Sequence, residues 1–196
     1  MITGIILASG FAQRMNREKL MLTVEDIPVV ERVITAAHSS ELDEVILVYR
    51  RDEIREIAKN YGIKTVYNRH AEMGQSAAVT LGVKSSHPDT DGFMFLVGDQ
   101  PYLDASTINT LVGIFKKGKE SIVVPVYNGQ RGNPVIFSSD LREELLALEG
   151  DSGGRIIIES MIDRVKLVTI EKSIVGTDID TNEEYEKLRP HSKILP

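Results

Sequence analysis

Apolar residues along this chain come in short unbroken runs, and the runs alternate with segments whose apolar positions recur every three or four residues. The runs at 4–7, 45–49, 64–67, 93–97 and 121–126 predict strands. The segments 28–38, 52–61, 75–84 and 105–117 predict helices, with Ile54, Ile57, Ala58 and Tyr61 forming one buried stripe. Pro28 suits a first helical turn and Asp104 an N-cap. Strands that are apolar on both faces, alternating with helices, predict a largely parallel sheet covered on each side. After 121 the rhythm changes: short strands are predicted at 134–137, 165–169 and around Ile179, between helices at 140–148 and 154–161. A last helix is predicted over 181–188, capped by Thr181 with Glu184 as its box partner. With no repeat, low-complexity tract or linker, 1–190 reads as one domain and 191–196 as a frayed tail.

Composition narrows the chemistry. The 196 residues are 42% hydrophobic, enough for a sizeable core without disulfides. The absence of cysteine excludes thiol nucleophiles and Cys-ligated zinc. No apolar stretch has the length of a membrane span, and the first residues lack the charged and apolar regions of a secretory signal, so a cytoplasmic protein is expected. A net charge of -6 disfavours nucleic acid, whose binding rests on neutralising many phosphates. A small anion remains open if cations gather locally, which draws attention to Arg14, Arg17, Lys19, Arg131 and Arg155.

In sheets of this kind ligands sit beyond the carboxyl ends of the parallel strands, which brings the loops 9–19, 68–74 and 98–101 to one edge. The first strand ends Leu7-Ala8-Ser9-Gly10, small residues that let backbone N–H groups approach an anion, followed by Arg14, Arg17 and Lys19. An ordinary βα turn with a solvated basic face is the alternative. Neither the dinucleotide G-x-G-x-x-G nor the P-loop spacing is present. The second strand ends Val48-Tyr49-Arg50-Arg51, without an acid to hold a ribose, and nicotinamide or flavin chemistry is disfavoured. Asp99 follows a strand directly, where a carboxylate can hold Mg²⁺ or cap a turn. Asp178 and Asp180 share one side of an extended segment; either can complete a metal site, or Asp180 can stabilise the last helix. Gly74, Gln75 and Ser76 open a helix and can bond a base or a phosphate there, or form a plain capped loop. The loops 130–134 and 150–155 each carry one arginine suited to bidentate anion contact, although turn formation alone explains their glycines. The four histidines show no metal-ligand spacing.

Taken in order, the motifs LASGFAQRMNREK, EMGQSAAVTLG, FLVGDQP, RGNPVIF, GDSGGR and DIDTNEEY resemble those of the MobA-like nucleotidyltransferases that modify molybdopterin, with the cytidylyltransferase group the nearest likeness. The resemblance runs from Ile5 to Tyr185. It implies a three-layer α/β/α Rossmann-like nucleotidyltransferase fold with a mostly parallel, mixed sheet. It also implies a nucleotide site on Leu7, Ala8, Ser9, Gly10, Arg14, Lys19, Gly74, Gln75, Ser76 and Asp99. Within that site Arg14, Lys19 and Asp99 would carry catalysis, Mg²⁺ would sit on Asp99 and Asp180, and Gln100, Arg131, Asn133 and Arg155 would face the acceptor. The implied reaction joins CMP from CTP to the terminal phosphate of molybdopterin or the molybdenum cofactor, with transient contact to molybdoenzymes as a further implication. Guanylyl or other nucleotidyl transfer to molybdopterin, guanylyl, cytidylyl or uridylyl transfer to another phosphorylated metabolite, or a non-catalytic nucleotide-binding or cofactor-delivery role, are the other readings. The chain departs from the family pattern at Ala12, where Ser is common, at Asn16, where Gly follows Arg-Met, and at Asn133, where His is frequent. Ser9 resembles the cytidylyl group's alanine more than the glycine of guanylyltransferases, and its bulk would restrict a purine.

Overall fold

The computed structural model describes residues 1–11 and 19–188. In chain order the first half comprises β1 (Ile2–Ala8), the hairpin strands β2 (Thr23–Val24) and β3 (Ile27–Pro28), α1 (Val29–His38), β4 (Glu44–Tyr49), α2 (Asp52–Lys59), β5 (Lys64–Tyr67) and α3 (Gln75–Ser85). The second comprises β6 (Gly92–Val97), α4 (Ala105–Lys117), β7 (Ile122–Tyr127), β8 (Gln130–Arg131), β9 (Val135–Ser138), α5 (Arg142–Leu146), α6 (Arg155–Ser160), β10 (Val165–Thr169) and α7 (Asn182–Leu188).

The main sheet runs β10-β7-β9-β6-β1-β4-β5, with β8 paired to β7. Strand β1 is parallel to both neighbours, placing Leu7 opposite Val48 on one side and Val97 on the other. Only β8 and β9 run against the rest. Along β1, Ile2, Ile6 and Ala8 face a core built on α1, α2 and α4, while Ile5 faces the core under α3, α5 and α6. That alternation gives an α/β/α Rossmann-like architecture of three layers and explains the unbroken apolar runs. Each fully buried Ile, Leu or Phe contributes roughly 1.5–3 kcal/mol. Among the described residues no helix is long and apolar enough to cross a membrane.

Local chemistry sets several boundaries. The Asp104 carboxylate accepts from Thr107 N–H at 2.9 Å and starts α4. Thr181 and Glu184 exchange side-chain and backbone bonds at 3.2 and 2.8 Å, the reciprocal box that opens α7. Pro28 sits one residue before α1 instead of inside its first turn. The segment 140–148 holds only the short α5 after a 3-10 turn, and α6 stops at Ser160. No strand forms at Ile179; its side chain is buried with Val24, Val29 and Tyr185, against the β2–β3 hairpin. Tyr185 Oη donates to Thr23 O at 2.9 Å, which ties α7 to that hairpin. The expected tail at 191–196 lies outside the described residues.

Candidate active site

The chain leaves β1 to β4 and β5 on one side and returns to β6 on the other. The carboxyl ends of β1 and β6 therefore border the crevice at which open α/β sheets bind ligands. The two ends approach closely: Gly98 N–H donates to Leu7 O at 3.2 Å, and a Cβ on Gly98 would lie 3.2 Å from that oxygen. Asp99 then enters the crevice. Its neighbour Ile179 donates its backbone N–H to Asp99 O at 3.1 Å, drawing the 178–180 segment to the same place.

Lys19 completes the group. Its ammonium donates to Asp99 Oδ2 at 2.5 Å and to Asp180 Oδ1 at 2.9 Å, and its side chain is 21% exposed. Burial disfavours the charged amine, but the two carboxylates more than offset this and raise the Lys19 pKa. Asp99 Oδ1 is buried and has no hydrogen-bond partner among the described residues. Asp178 stands at the surface beside them; the protein around its carboxyl, then the charge of Asp99, push it up to about 6. Among the described residues no three acidic or histidine side chains form a cluster able to hold an ion unaided.

Two cavities open at this edge. The first, of about 530 Å³, is lined by Leu7, Ser9, Gly10, Lys19, Gly74, Gln75, Asp99 and Asp180, and also by Phe11, Glu72 and Asp151. The second, of about 620 Å³, has apolar walls that include Phe95, Val124, Phe137 and Ile158, and a polar side made by Arg131, Asn133 and Arg155. Leu7, Gln75, Val97 and Asp151 line both, so the cavities share a wall. That wall is interlocked. Gly74 has φ +90, and a Cβ there would lie 2.5 Å from Asp151 Oδ1 and 2.6 Å from Gly150 O. Ser76 N–H donates to Gly150 O at 3.0 Å and Gln75 N–H to Asp151 Oδ1 at 3.3 Å, so the 150–155 loop occupies the amino end of α3.

The structure thus brings Leu7, Ser9, Gly10, Lys19, Gly74, Gln75, Asp99 and Asp180 to one cavity, and Arg131, Asn133 and Arg155 to the other. Ala8 and Ser76 are buried and line neither. Gln100 is 1% exposed and turns away from the second cavity, bonding Gly176 O at 3.5 Å and the Asp178 carboxylate. Its place is beneath the 176–180 segment, where it supports Asp178. Arg14 and Arg17 lie outside the described residues. Ser9 is 2% exposed, and its hydroxyl accepts from Asn68 Nδ2 at 2.9 Å. Sequence reasoning missed Asn68 and Asp151. For Asn68 a signal existed: it follows the 64–67 strand directly, as Ser9 follows β1.

The model of the MobA-like NTP transferase domain matches residues 4–165. The chain belongs to this family. Among curated relatives of this MobA-like chain, the purine catabolism protein PucB of Bacillus subtilis (strain 168) is 31% identical over 96% of each chain. Nicotine blue oxidoreductase of Paenarthrobacter nicotinovorans is 24% identical, over 95% of this chain and 96% of its own. A probable molybdenum cofactor guanylyltransferase of Natranaerobius thermophilus is 28% identical, over 65% of this chain and 62% of its own. The solved structure of Rv0371c from Mycobacterium tuberculosis H37Rv, a complex with manganese, superposes with a TM-score of 0.80 at 24% identity, covering 95% of this chain and 97% of that one.

Proposed function

We propose that this MobA-like protein is a divalent-metal-dependent nucleotidyltransferase that joins CMP from CTP to the terminal phosphate of molybdopterin or the molybdenum cofactor, releasing pyrophosphate. The observation that carries the reading is the pair of adjoining cavities, one bearing Lys19, Asp99 and Asp180, the other with apolar walls and a polar side that includes Arg131 and the Arg155–Glu159 ion pair. A transferase needs two substrates whose reacting phosphates meet, and the shared wall of Leu7, Gln75, Val97 and Asp151 supplies a meeting point. The relative named as a guanylyltransferase of the same cofactor supports the acceptor class.

An acceptor phosphate oxygen attacks the α-phosphorus of CTP, the bond from that phosphorus to the bridging oxygen breaks, and the electron pair leaves on pyrophosphate. A phosphate monoester has a second pKa of about 6, so the nucleophile is already ionised near neutrality and no general base is required. Lys19 lines the cavity assigned to the nucleotide, where its ammonium would neutralise charge developing on the leaving pyrophosphate. Arg14 is assigned the same task.

The residues present fit a divalent ion. Asp99 keeps one buried oxygen without a partner among the described residues, Asp180 meets the same ammonium, and hard cations bound with nucleotides commonly use one or two carboxylates plus phosphate oxygens. Among the described lining residues Glu72, Asp99, Asp151 and Asp180 oppose Lys19, so a triphosphate needs further positive charge in this cleft. Asp99 and Asp180 would hold Mg²⁺, which would supply that positive charge. This reading carries a cytoplasmic location and transient contact with the molybdoenzyme that receives the product.

The test is pyrophosphate release from the purified protein with molybdopterin, Mg²⁺ and each of the four NTPs. Release with CTP is expected. Release confined to GTP replaces the nucleotide and retains the reaction. No release with any NTP or phosphorylated acceptor refutes nucleotidyl transfer and favours a redox or binding role, the former in line with the relative named as an oxidoreductase.

A further inference from the structure

Lys19 holds the two carboxylates that the proposed function gives to a divalent ion, and this inference rests on that reading. The ammonium engages Asp99 Oδ2 at 2.5 Å and Asp180 Oδ1 at 2.9 Å. An oxygen that accepts a short charge-assisted hydrogen bond has its charge satisfied in that direction, and an ion arriving there has to displace the donor. The other oxygen of that carboxylate, Asp99 Oδ1, is buried and has no hydrogen-bond partner among the described residues. We propose that Lys19 and a divalent cation compete for Asp99 and Asp180, so that the cation is admitted when a triphosphate draws the ammonium away.

Two effects act in the same direction. Phosphate oxygens offer the Lys19 ammonium another anionic acceptor within the cleft that both line, which releases the carboxylates. The same phosphates bring oxygens that complete the coordination of an ion held by only two side chains. Nucleotide and ion therefore favour one another through Lys19, and the coupling is reciprocal because both affinities depend on where one ammonium resides. Until then the Lys19 ammonium offsets the mutual repulsion of Asp99 and Asp180, to which Asp178 adds.

The experiment is Mn²⁺ binding to the nucleotide-free full-length protein, followed by the electron paramagnetic resonance signal of free Mn²⁺. Lys19→Met and Lys19→Gln are expected to bind Mn²⁺ at least about tenfold more tightly than the parent, the equivalent of losing one charge-assisted hydrogen bond from the competition. Lys19→Arg, which keeps the charge, is expected to stay near the parent. Lys172→Met removes a cation that bonds Asp104 instead, and is expected to change Mn²⁺ affinity less than about twofold. The inference is overturned if both neutral Lys19 variants bind Mn²⁺ no more tightly than Lys172→Met. Asp99→Asn in the Lys19→Met background separates the two claims. If it abolishes Mn²⁺ binding while Lys19→Met shows no gain, the metal site stands and the competition falls. If it leaves Mn²⁺ binding unchanged, the ion is elsewhere and the metal part of the proposed function falls as well.

Discussion

Replacing Gly74 with alanine tests whether the wall between the two cavities is built as described. Gly74 has φ +90 and ψ -170, a region that only glycine occupies readily, and forcing another residue there costs about 1–3 kcal/mol. The new Cβ would also lie 2.5 Å from Asp151 Oδ1 and 2.6 Å from both the carbonyl carbon and oxygen of Gly150. Ordinary contact needs roughly an ångström more, and the obstacle is backbone, so the 150–155 loop has to withdraw. Withdrawal stretches the Ser76–Gly150 and Gln75–Asp151 hydrogen bonds, each contributing about 0.5–1.5 kcal/mol. Partial relaxation of the loop recovers some of this, and a net loss of about 3 kcal/mol is expected. For a chain of 196 residues that lowers the midpoint of thermal unfolding by about 6–12 °C. Because Gln75 and Asp151 line both cavities, an ångström of displacement there would, under the proposed function, misplace both substrates and is expected to cost about 100-fold in turnover. Calorimetry and the pyrophosphate assay measure the two effects. A Gly74→Ala protein that melts within about 1 °C of the parent and turns over normally would falsify the interlocked wall.

Other expectations follow from single contacts. Tyr127→Phe removes the donor that Asn133 O accepts at 2.7 Å; it is expected to cost about 1–3 kcal/mol and to raise KM for the acceptor while leaving KM for the nucleotide unchanged, as initial-rate kinetics will show. Asn68→Ala frees the buried Ser9 hydroxyl and is expected to weaken nucleotide binding about tenfold by isothermal titration calorimetry, with no shift in acceptor KM. Asp104 gives a pH signature. Partial burial opposes its charge, but the Thr107 and Ser106 donors and Lys172 hold its carboxyl down to about 2 from 3.8. A group depressed on folding stabilises the protein fully above its unfolded pKa and less as pH falls through its folded one, so up to about 2 kcal/mol fades between about pH 4 and pH 2. Asp104→Ala is expected to flatten that part of the urea-denaturation stability profile, and an unchanged profile refutes the cap.

What could be read from the sequence follows from how local each determinant is. The strands centred on Ile5, Leu47, Phe95 and Val124 were visible because both faces of each are buried, leaving apolar runs without polar interruption. The Asp104 cap and the Thr181–Glu184 box were visible because every participant lies within a few residues. The β2–β3 hairpin was not. Its turn places Glu25 and Asp26 at φ 52 and 63; aspartate is tolerated there, but glutamate does not advertise such a turn and no glycine marks it. Ile179 looks like a strand residue because it is apolar between acids, yet tertiary contact with Val24 and Tyr185 buries it. Pairings across the sheet were equally hidden: Ser9 reaches Asn68 and Lys19 reaches Asp180 only after the strand order is known. Gln100 shows the converse limit, since its position beside Asp99 points to the crevice while its side chain turns under the 176–178 segment.

The Ser9–Asn68 contact also bounds what the nucleotide cavity can discriminate. A serine hydroxyl free in the cleft could reject one base by hydrogen bonding, and sites that bond a polar group of the right substrate reach selectivities of four or five decades. Here Ser9 is only 2% exposed and its oxygen is engaged by Asn68, so under the proposed function Ser9 would meet a base chiefly through shape. Steric selection by one or two carbon atoms yields about 1–3 kcal/mol, or roughly 10–200-fold. A preference for CTP within that range is consistent with Ser9 as the determinant. A preference of 10⁴-fold would have to come from polar groups elsewhere in the cavity, of which the Gln75 amide is one that also borders the acceptor side. Base choice and acceptor placement would then depend on the same side chain, and mutations that relax one would disturb the other.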